Sequence, residues 1–414
     1  MSAPTAAKGG VLMSKRSMAA ACLVASVLLA TAGCASPAST GDTGESTSKE
    51  PIRIGAVVSL TGTYAGLGVP EKSAIEMEVA RINAAGGIGG RQLEVFYEDD
   101  ATDPAKAQAA TTRLIEQEKV IAIIGATGTG QTMGMRGDID RAGIPQVSMA
   151  GGNAITAQFD PLVFQTPWPN RVVVPFTLSY MKAQGITKIA LLSDSGGYGK
   201  DGRQVVLDEV AKYGIAIVAD ETFNAGDTDM STQLTKIKAK APQAVWMWAA
   251  GKEGAVIVKN AAALGNVWGP AGNEAARLFG TPGNGRKEFI EGAGVAAEGF
   301  TFAAGRILAP ESYGAGSKPY VVAKDFIDRY TKQFNKAPDI FAGHAFDAIT
   351  IVADALARSG ADPTGPKLRA AIEETKGLIG VGGTFTYSAT DHNGLTERDL
   401  VIYRIESGAW KVVE

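Results

Sequence analysis

Cysteine is nearly absent from this chain of 414 residues: the two present, Cys22 and Cys34, both lie near the N-terminus. Every residue after Cys34 lacks a thiol, which excludes disulfide scaffolds, zinc ribbons, iron–sulfur centres and cysteine nucleophiles from the body of the protein. Histidine is as scarce, with only His344 and His392, so a histidine-rich metal site or a histidine-relay hydrolase lacks its ligands or bases. Aromatic residues are 7% of the chain, whereas 51 glycines point to tight turns and small-residue packing. Basic residues are not in excess, and a formal charge of −3 disfavours a nucleic-acid partner. What is present, 45% apolar and 20% charged residues, is the composition of a folded globular protein, and the length fits two domains better than one.

One apolar run stands out, from Met18 to Ala32, preceded by Lys15 and Arg16 and followed by Gly33-Cys34. It is short for a membrane span and has the layout of an export signal: basic residues, an apolar stretch, then small residues. Thr31-Ala32-Gly33-Cys34 also resembles a lipobox, with threonine where leucine is usual. Residues 1–33 are therefore expected to be a lipoprotein signal peptide, with Cys34 the lipid anchor on the bacterial cell membrane. The alternative is a plain secretory signal with an incidental cysteine. Cleavage would remove Lys8, Lys15 and Arg16 and no acid, leaving a more acidic body. Residues 34–50 are mostly Ser, Thr, Gly, Ala and acid, a flexible tether.

From Ile52 onward, short β-branched runs alternate with helical patterns, the signature of βαβ units and parallel sheets. Strands are expected at Ile52 to Val58, Leu93 to Tyr97, Val120 to Ile124, Pro145 to Met149 and Leu162 to Gln165. A second series starts at Lys188 to Ser193 and continues through Ile215 to Phe223 and Ala244 to Ala249. Helices are expected at about 198–213, 230–240, 251–264, 320–334 and 341–359, and 269–285 reads as irregular. The number of units exceeds one doubly wound sheet, so two α/β lobes are expected.

Glycine-rich turns follow several of these strands. Ile123-Ile124-Gly125-Ala126-Thr127-Gly128-Thr129-Gly130-Gln131-Thr132 falls short of a phosphate-binding loop, because Gln131 replaces the lysine. As a dinucleotide fingerprint it follows the wrong strand. Its physical content remains: open backbone amides and a helix N-terminus suit a carboxylate, and Thr129 adds a hydroxyl. Ser148-Met149-Ala150-Gly151-Gly152-Asn153 forms a second such turn, and Asp194-Ser195-Gly196-Gly197-Tyr198-Gly199 takes the corresponding place in the second lobe. Tyr198 either closes over a ligand or packs on its own lobe.

These residues resemble the leucine/isoleucine/valine-binding family of ABC-importer receptors, which have the type I periplasmic binding protein fold. The resemblance rests on Ile54 to Gly62, Ile82 to Gly90, Tyr97 to Asp100 with Asp103-Pro104, Ile144-Pro145 and Ala297 to Gly299, in that order. It implies two doubly wound parallel-sheet lobes, 51–170 plus 302–378 and 171–301 plus 379–414, joined by a three-stranded hinge and closing on a ligand. It places the carboxylate-holding hydroxyl at Thr129 beside Gly128 and backbone donors at Ala150 and Gly152. Further contacts fall at Tyr64 and Leu67, at Tyr198 and near Ala250. Trp168, near the first crossover, is a candidate wall of the pocket. Trp246 and Trp248 are either wall or core, and His344 either faces the cleft or caps its helix. Ala271 stands about where amino-acid binders carry the acid that meets the ligand's ammonium, with Glu274 or Glu253 as substitutes.

The expected function is an extracytoplasmic solute receptor that passes a small hydrophobic amino acid, or a related aliphatic or aromatic carboxylic acid, to an ABC permease and ATPase complex. No enzyme activity, cofactor, metal or nucleic acid is expected, and the protein is expected to be a monomer. The competing classes are a sensing ectodomain of the same fold and an exported enzyme; the latter would need a lysine in the Gly125 loop or a serine–histidine pair.

Overall fold

The computed structural model describes residues 50–265, 277–360 and 362–413. The expected signal peptide with Cys22, the expected lipid anchor Cys34, nearly all of the expected tether, and Ala271 and Glu274 lie outside the described residues.

The first half alternates strands β1 (Ile52–Val58), β2 (Leu93–Asp99), β3 (Ile123–Gly125), β4 (Gln146–Ser148) and β5 (Val163–Gln165) with helices α1 (Ala65–Ala84), α2 (Pro104–Glu116), α3 (Thr129–Ala142) and α4 (Ala154–Ala157). The strands form a parallel sheet of five in the order β2-β1-β3-β4-β5. Helices cover both faces, so β1 is almost entirely apolar and buried, as a central parallel strand must be. Local signals set the helix ends. Asp103 caps α2 by accepting from the amides of Ala105 at 2.8 Å and Lys106 at 3.1 Å, with Pro104 at the first position. Gly143, at φ +66°, closes α3 in the left-handed conformation.

The chain then enters a second sheet through α5 (Asn170–Ala183), β6 (Lys188–Asp194), α6 (Gly197–Glu209), β7 (Ala216–Phe223), α7 (Ser231–Ala239) and β8 (Ala244–Trp248). It continues with α8 (Glu253–Ala263), β9 (Arg277–Phe279), α9 (Lys287–Ala293) and β10 (Thr301–Ala304). The three-residue strand β9 lies inside the stretch expected to be irregular, and the helix expected to reach Tyr213 ends at Glu209 in a 3-10 turn.

Next come α10 (Lys318–Phe334), α11 (Ile340–Arg358), α12 (Gly365–Glu373), the small pair β11 (Leu378–Ile379) and β12 (Thr384–Phe385), and finally β13 (Val401–Glu406) and β14 (Ala409–Val412). The second sheet has seven strands in the order β14-β13-β10-β9-β8-β6-β7. It is parallel except at one edge, where β13 runs antiparallel to both β10 and β14.

The chain thus passes between the lobes three times: after β5, after β10, and on the way to β13. Helix α11, apolar and long enough to cross a membrane, is instead the buried partner of α1 in the first lobe. The crossovers are bound to one another. Trp168 in the first packs its ring edge against Gly305 in the second, where any Cβ would overlap it, and lies near Gly382 in the third. Tyr403 donates to Gly305 O at 2.8 Å, and Asn393 Nδ2 donates to Pro167 O at 2.8 Å. Both oxygens of Asp347, on α11, accept amides of the third crossover, Val381 and Gly382, each at 2.7 Å. Burial pushes the Asp347 carboxyl up to about 7, although those two amides pull it down.

Candidate functional site

A cavity of about 450 Å³, mouth included, opens where the loops after β1, β3, β4, β6, β8 and β9 converge. This is the carboxyl end of both sheets, where α/β folds bind ligands. The first lobe supplies Tyr64 and Leu67 at the start of α1, Thr127 to Thr129, and Met149 to Gly151. It also supplies Ile340, Phe341 and His344 from α11, while Pro167 and Trp168 come from the first crossover. The second lobe contributes Tyr198, Ala250, Pro282 and Gly283.

The β3–α3 turn is shaped by glycine. Gly125 has φ +126°, and a Cβ there would overlap Val57 O. A Cβ at Gly128 would stand 2.9 Å from Tyr64 Cε2, so glycine lets the tyrosine ring lie on the turn. With Gly128 as N-cap, the first-turn amides of α3 have no acceptor within the helix, and the positive end of its dipole lies at the cavity. Thr129 is 3% exposed and its Oγ1 has no partner among the described residues. Behind it, Thr127 Oγ1 donates to Glu71 Oε2 at 2.5 Å and accepts from the Ser59 amide at 3.0 Å.

The second turn is held from outside the cavity. Gln165 Nε2 donates to Ala150 O at 2.7 Å and to Gly152 O at 2.9 Å. The Ala150 amide is already engaged, donating to Ser148 Oγ at 3.2 Å. Of the nine expected ligand contacts, Thr129, Gly128, Ala150, Tyr198, Ala250, Tyr64, Leu67 and Trp168 line the cavity. Gly152 sits one layer back: a Cβ on it would overlap the Thr129 methyl and lie 2.7 Å from Oγ1, so its lack of a side chain leaves room for Thr129.

On the far wall Tyr198 is 8% exposed, with burial raising its phenol far above the ordinary range and the Thr281 hydroxyl offsetting part of that rise. Its ring lies 6.1 Å from Trp248. Trp246 and Trp248 are core, not wall: both are fully buried, and Trp246 Nε1 donates to Gly280 O at 3.0 Å. His344 faces the cavity, while the capping role at α11 belongs to Asp339, which accepts from the Ala342 amide at 2.9 Å. Burial pulls the His344 imidazole down to about 3, so the ring is neutral. His344 Nδ1 and the adjacent Trp168 Nε1, on rings 5.1 Å apart, are buried without partners among the described residues. Among the described residues, those lining the cavity include no Asp, Glu, Lys or Arg.

A family model described as periplasmic binding protein matches residues 51–409. The chain belongs to that family. The Leu/Ile/Val-binding protein homolog 3 of Brucella melitensis is 26% identical over 362 residues, 86% of this chain and 92% of the relative. The leucine-, isoleucine-, valine-, threonine-, and alanine-binding protein of Pseudomonas aeruginosa is 27% identical over 338 residues, 81% and 84% of the two chains. Among solved structures, an extracellular ligand-binding receptor from Rhodopseudomonas palustris HaA2 superposes with a TM-score of 0.80 at 27% identity, covering 87% of this chain and 99% of its own. The branched-chain amino acid transporter substrate binding protein LivJ of Streptococcus pneumoniae, solved with isoleucine, gives 0.76 at 28% identity over 88% and 99%.

In this periplasmic binding protein, several cavity residues escaped the sequence reading. Pro282 and Gly283 follow β9, a strand too short to announce itself, and a Cβ at Gly283 would lie 2.7 Å from that of Ala250. Ile340 and Phe341 read as an apolar helix face and reach the cavity only because α11 docks across the sheet, where Thr166 Oγ1 donates to His344 O at 3.1 Å. Glu253 is buried beside the cavity rather than in its lining, and its Oε1 accepts from the Gly226 amide at 2.8 Å.

Proposed function

We propose that this protein is an extracytoplasmic solute-binding receptor that takes a small hydrophobic molecule bearing a carboxylate into the cavity between its lobes and passes it to an ABC permease and ATPase. One observation carries the reading. An unpartnered Thr129 hydroxyl and the N-terminal end of α3 lie at a cavity whose described lining is mostly apolar and holds no Asp, Glu, Lys or Arg. Such donors hold a carboxylate through charge-assisted hydrogen bonds worth about 1.5–3 kcal/mol each, while the apolar walls take the hydrocarbon. The names of the relatives, Leu/Ile/Val-binding proteins, support a branched-chain or similar amino acid. The lining, uncharged among the described residues, supports equally an aliphatic or aromatic acid, because an α-ammonium buried without an acid costs several kcal/mol. In this reading Cys34 carries the lipid that keeps the monomeric receptor at the membrane, and binding needs no chemical step.

A thermal-shift panel tests the proposal. Leucine, isoleucine, valine, aliphatic acids, benzoate-like acids and the matching amides are compared. A true ligand at 100 times its Kd adds about 2.7 kcal/mol of stability. Stabilisation by acids and not by amides supports the carboxylate assignment, and a panel in which no carboxylate shifts the transition overturns it. The ranking of leucine against its des-amino analogue decides whether an ammonium is accepted.

A further inference from the structure

The residues that touch the cavity do not explain what holds the lobes together. Helix α6 of the second lobe reaches across to the β4–α4 turn of the first, and the contact is carried by one carboxylate. Asp201 Oδ1 accepts from the Asn153 amide at 2.6 Å, and Oδ2 accepts from the Ala154 amide at 2.7 Å. Oδ1 also accepts from Asn170 Nδ2 at 2.6 Å, and Asn170 opens α5 directly after the first crossover and is 1% exposed. A single side chain on the second lobe thus gathers two consecutive amides of the first lobe and one donor from the hinge. Arg171 approaches the same group, donating to Asn153 Oδ1 at 3.4 Å and to Thr156 Oγ1 at 2.9 Å.

The turn that Asp201 grips is the one that presents Met149, Ala150 and Gly151 to the cavity. Its other side is fixed by Gln165, so its shape decides at once what the cavity looks like and whether both amides point at Asp201. A second feature marks this as the place where the lobes close. Gly130 and Gly197 meet backbone to backbone, with a Cβ on Gly197 falling 2.7 Å from Gly130 N and 2.9 Å from its Cα. That contact brings the N-terminal ends of α3 and α6 together, two positive dipole ends whose approach is unfavourable unless negative charge lies nearby.

We propose that Asp201 is a closure latch: its carboxylate locks the second lobe onto the ligand-holding turn of the first, so that occupancy of the cavity and closure of the lobes are coupled through that turn. Asp201 touches no ligand in this scheme and acts as a positioning residue. The proposal rests on the ligand-binding reading of the cavity, but the latch can be tested without it. Coupling of this kind slows ligand departure from the closed state and leaves encounter with the open state untouched.

The test uses the full protein and its Asp201→Asn and Asn170→Ala variants. Asp201→Asn keeps the shape but replaces one acceptor oxygen with a donor. Small-angle X-ray scattering reads the radius of gyration with no added solute and with isoleucine or benzoate as probes. Stopped-flow tryptophan fluorescence reads the rates. The latch predicts that Asp201→Asn shifts scattering toward the open form and raises koff at least tenfold. It predicts kon within about threefold of wild type and an unchanged melting temperature without ligand. Asn170→Ala should give the same pattern more weakly. Scattering and koff indistinguishable from wild type in Asp201→Asn overturn the latch, as does a wild type that never adopts the closed form. If neither probe binds the wild type, the ligand assignment fails separately, and the solute-free scattering comparison decides the latch.

Discussion

The lobe built on the five-stranded sheet meets the cavity through two backbone turns, the first carrying Thr129, and through side chains of α1 and α11, whereas the seven-stranded lobe meets it through a phenol ring, Ala250 and the Pro282-Gly283 corner. The first surface is set by hydrogen bonds, Gln165 to its turn and Thr127 to Glu71. The second is set by packing, with Tyr198 leaning toward Trp248, Trp248 5.0 Å from Trp246, and Gly202 leaving room for the Trp248 ring. The difference teaches that affinity and stability are separable on one side of the cavity and entangled on the other. A donor can be removed from the first wall without disturbing its fold. A ring cannot be removed from behind the second.

The strongest challenge to that comparison is Trp246→Ala, which should cost the second lobe about 3–5 kcal/mol in urea denaturation. A loss below about 1 kcal/mol would mean that packing does not set this wall. Asp347→Asn addresses the hinge between the two. It should cost about 1–3 kcal/mol, because an amide nitrogen cannot accept the backbone N–H that one carboxylate oxygen accepts now. It should also remove a pH dependence. Burial raises the Asp347 carboxyl to about 7, so between about pH 4 and 7 the unfolded chain releases a proton that the folded one keeps. The Asp347 contribution to stability therefore falls as pH rises through that window, and denaturation midpoints of the asparagine variant should lack this fall. Thr129→Ala should weaken binding of the carboxylate found in the panel at least tenfold, about 1.4 kcal/mol, with no change in the ligand-free melting temperature. Thr129→Ser should restore most of it; unchanged affinity in the alanine variant removes Thr129 from the site. Smallest is Tyr198→Phe, which keeps the ring and should alter affinity less than about threefold by calorimetry. A larger loss would give the second wall a polar role.

Much of the first wall was legible in the sequence because its signals are local. Gly125 to Thr132 and Ser148 to Asn153 announce strand-turn-helix units from consecutive residues, and the alternation of strands and helices gave the two lobes. The second wall was legible only in part: Tyr198 and Ala250 were expected and line the cavity, whereas Pro282-Gly283 depends on a three-residue strand, and an acid sought near Ala271 had no local marker to fix its position. Gly152 was expected to touch ligand, yet its missing side chain leaves space for a neighbour, and only packing reveals that. Asp201 gave no signal at all. Its amide partners are 47 and 48 residues away and carry no distinctive side chain for the purpose, so closure of two lobes is written in backbone positions that no motif records.

The neutral imidazole of His344 has a wider consequence. It takes on charge only near pH 3, and the cavity's phenols, Tyr64 and Tyr198, are both held above their ordinary range by burial. Among the described residues, no side chain lining the cavity therefore changes charge between mild acid and mild alkali. A receptor working outside the cytoplasm meets whatever acidity the surroundings impose, without the buffering a cell maintains within. The groups that do respond to acid sit one layer out: burial raises Asp194, whose charge acts on Tyr198, and Asp339, which caps α11, each to about 6.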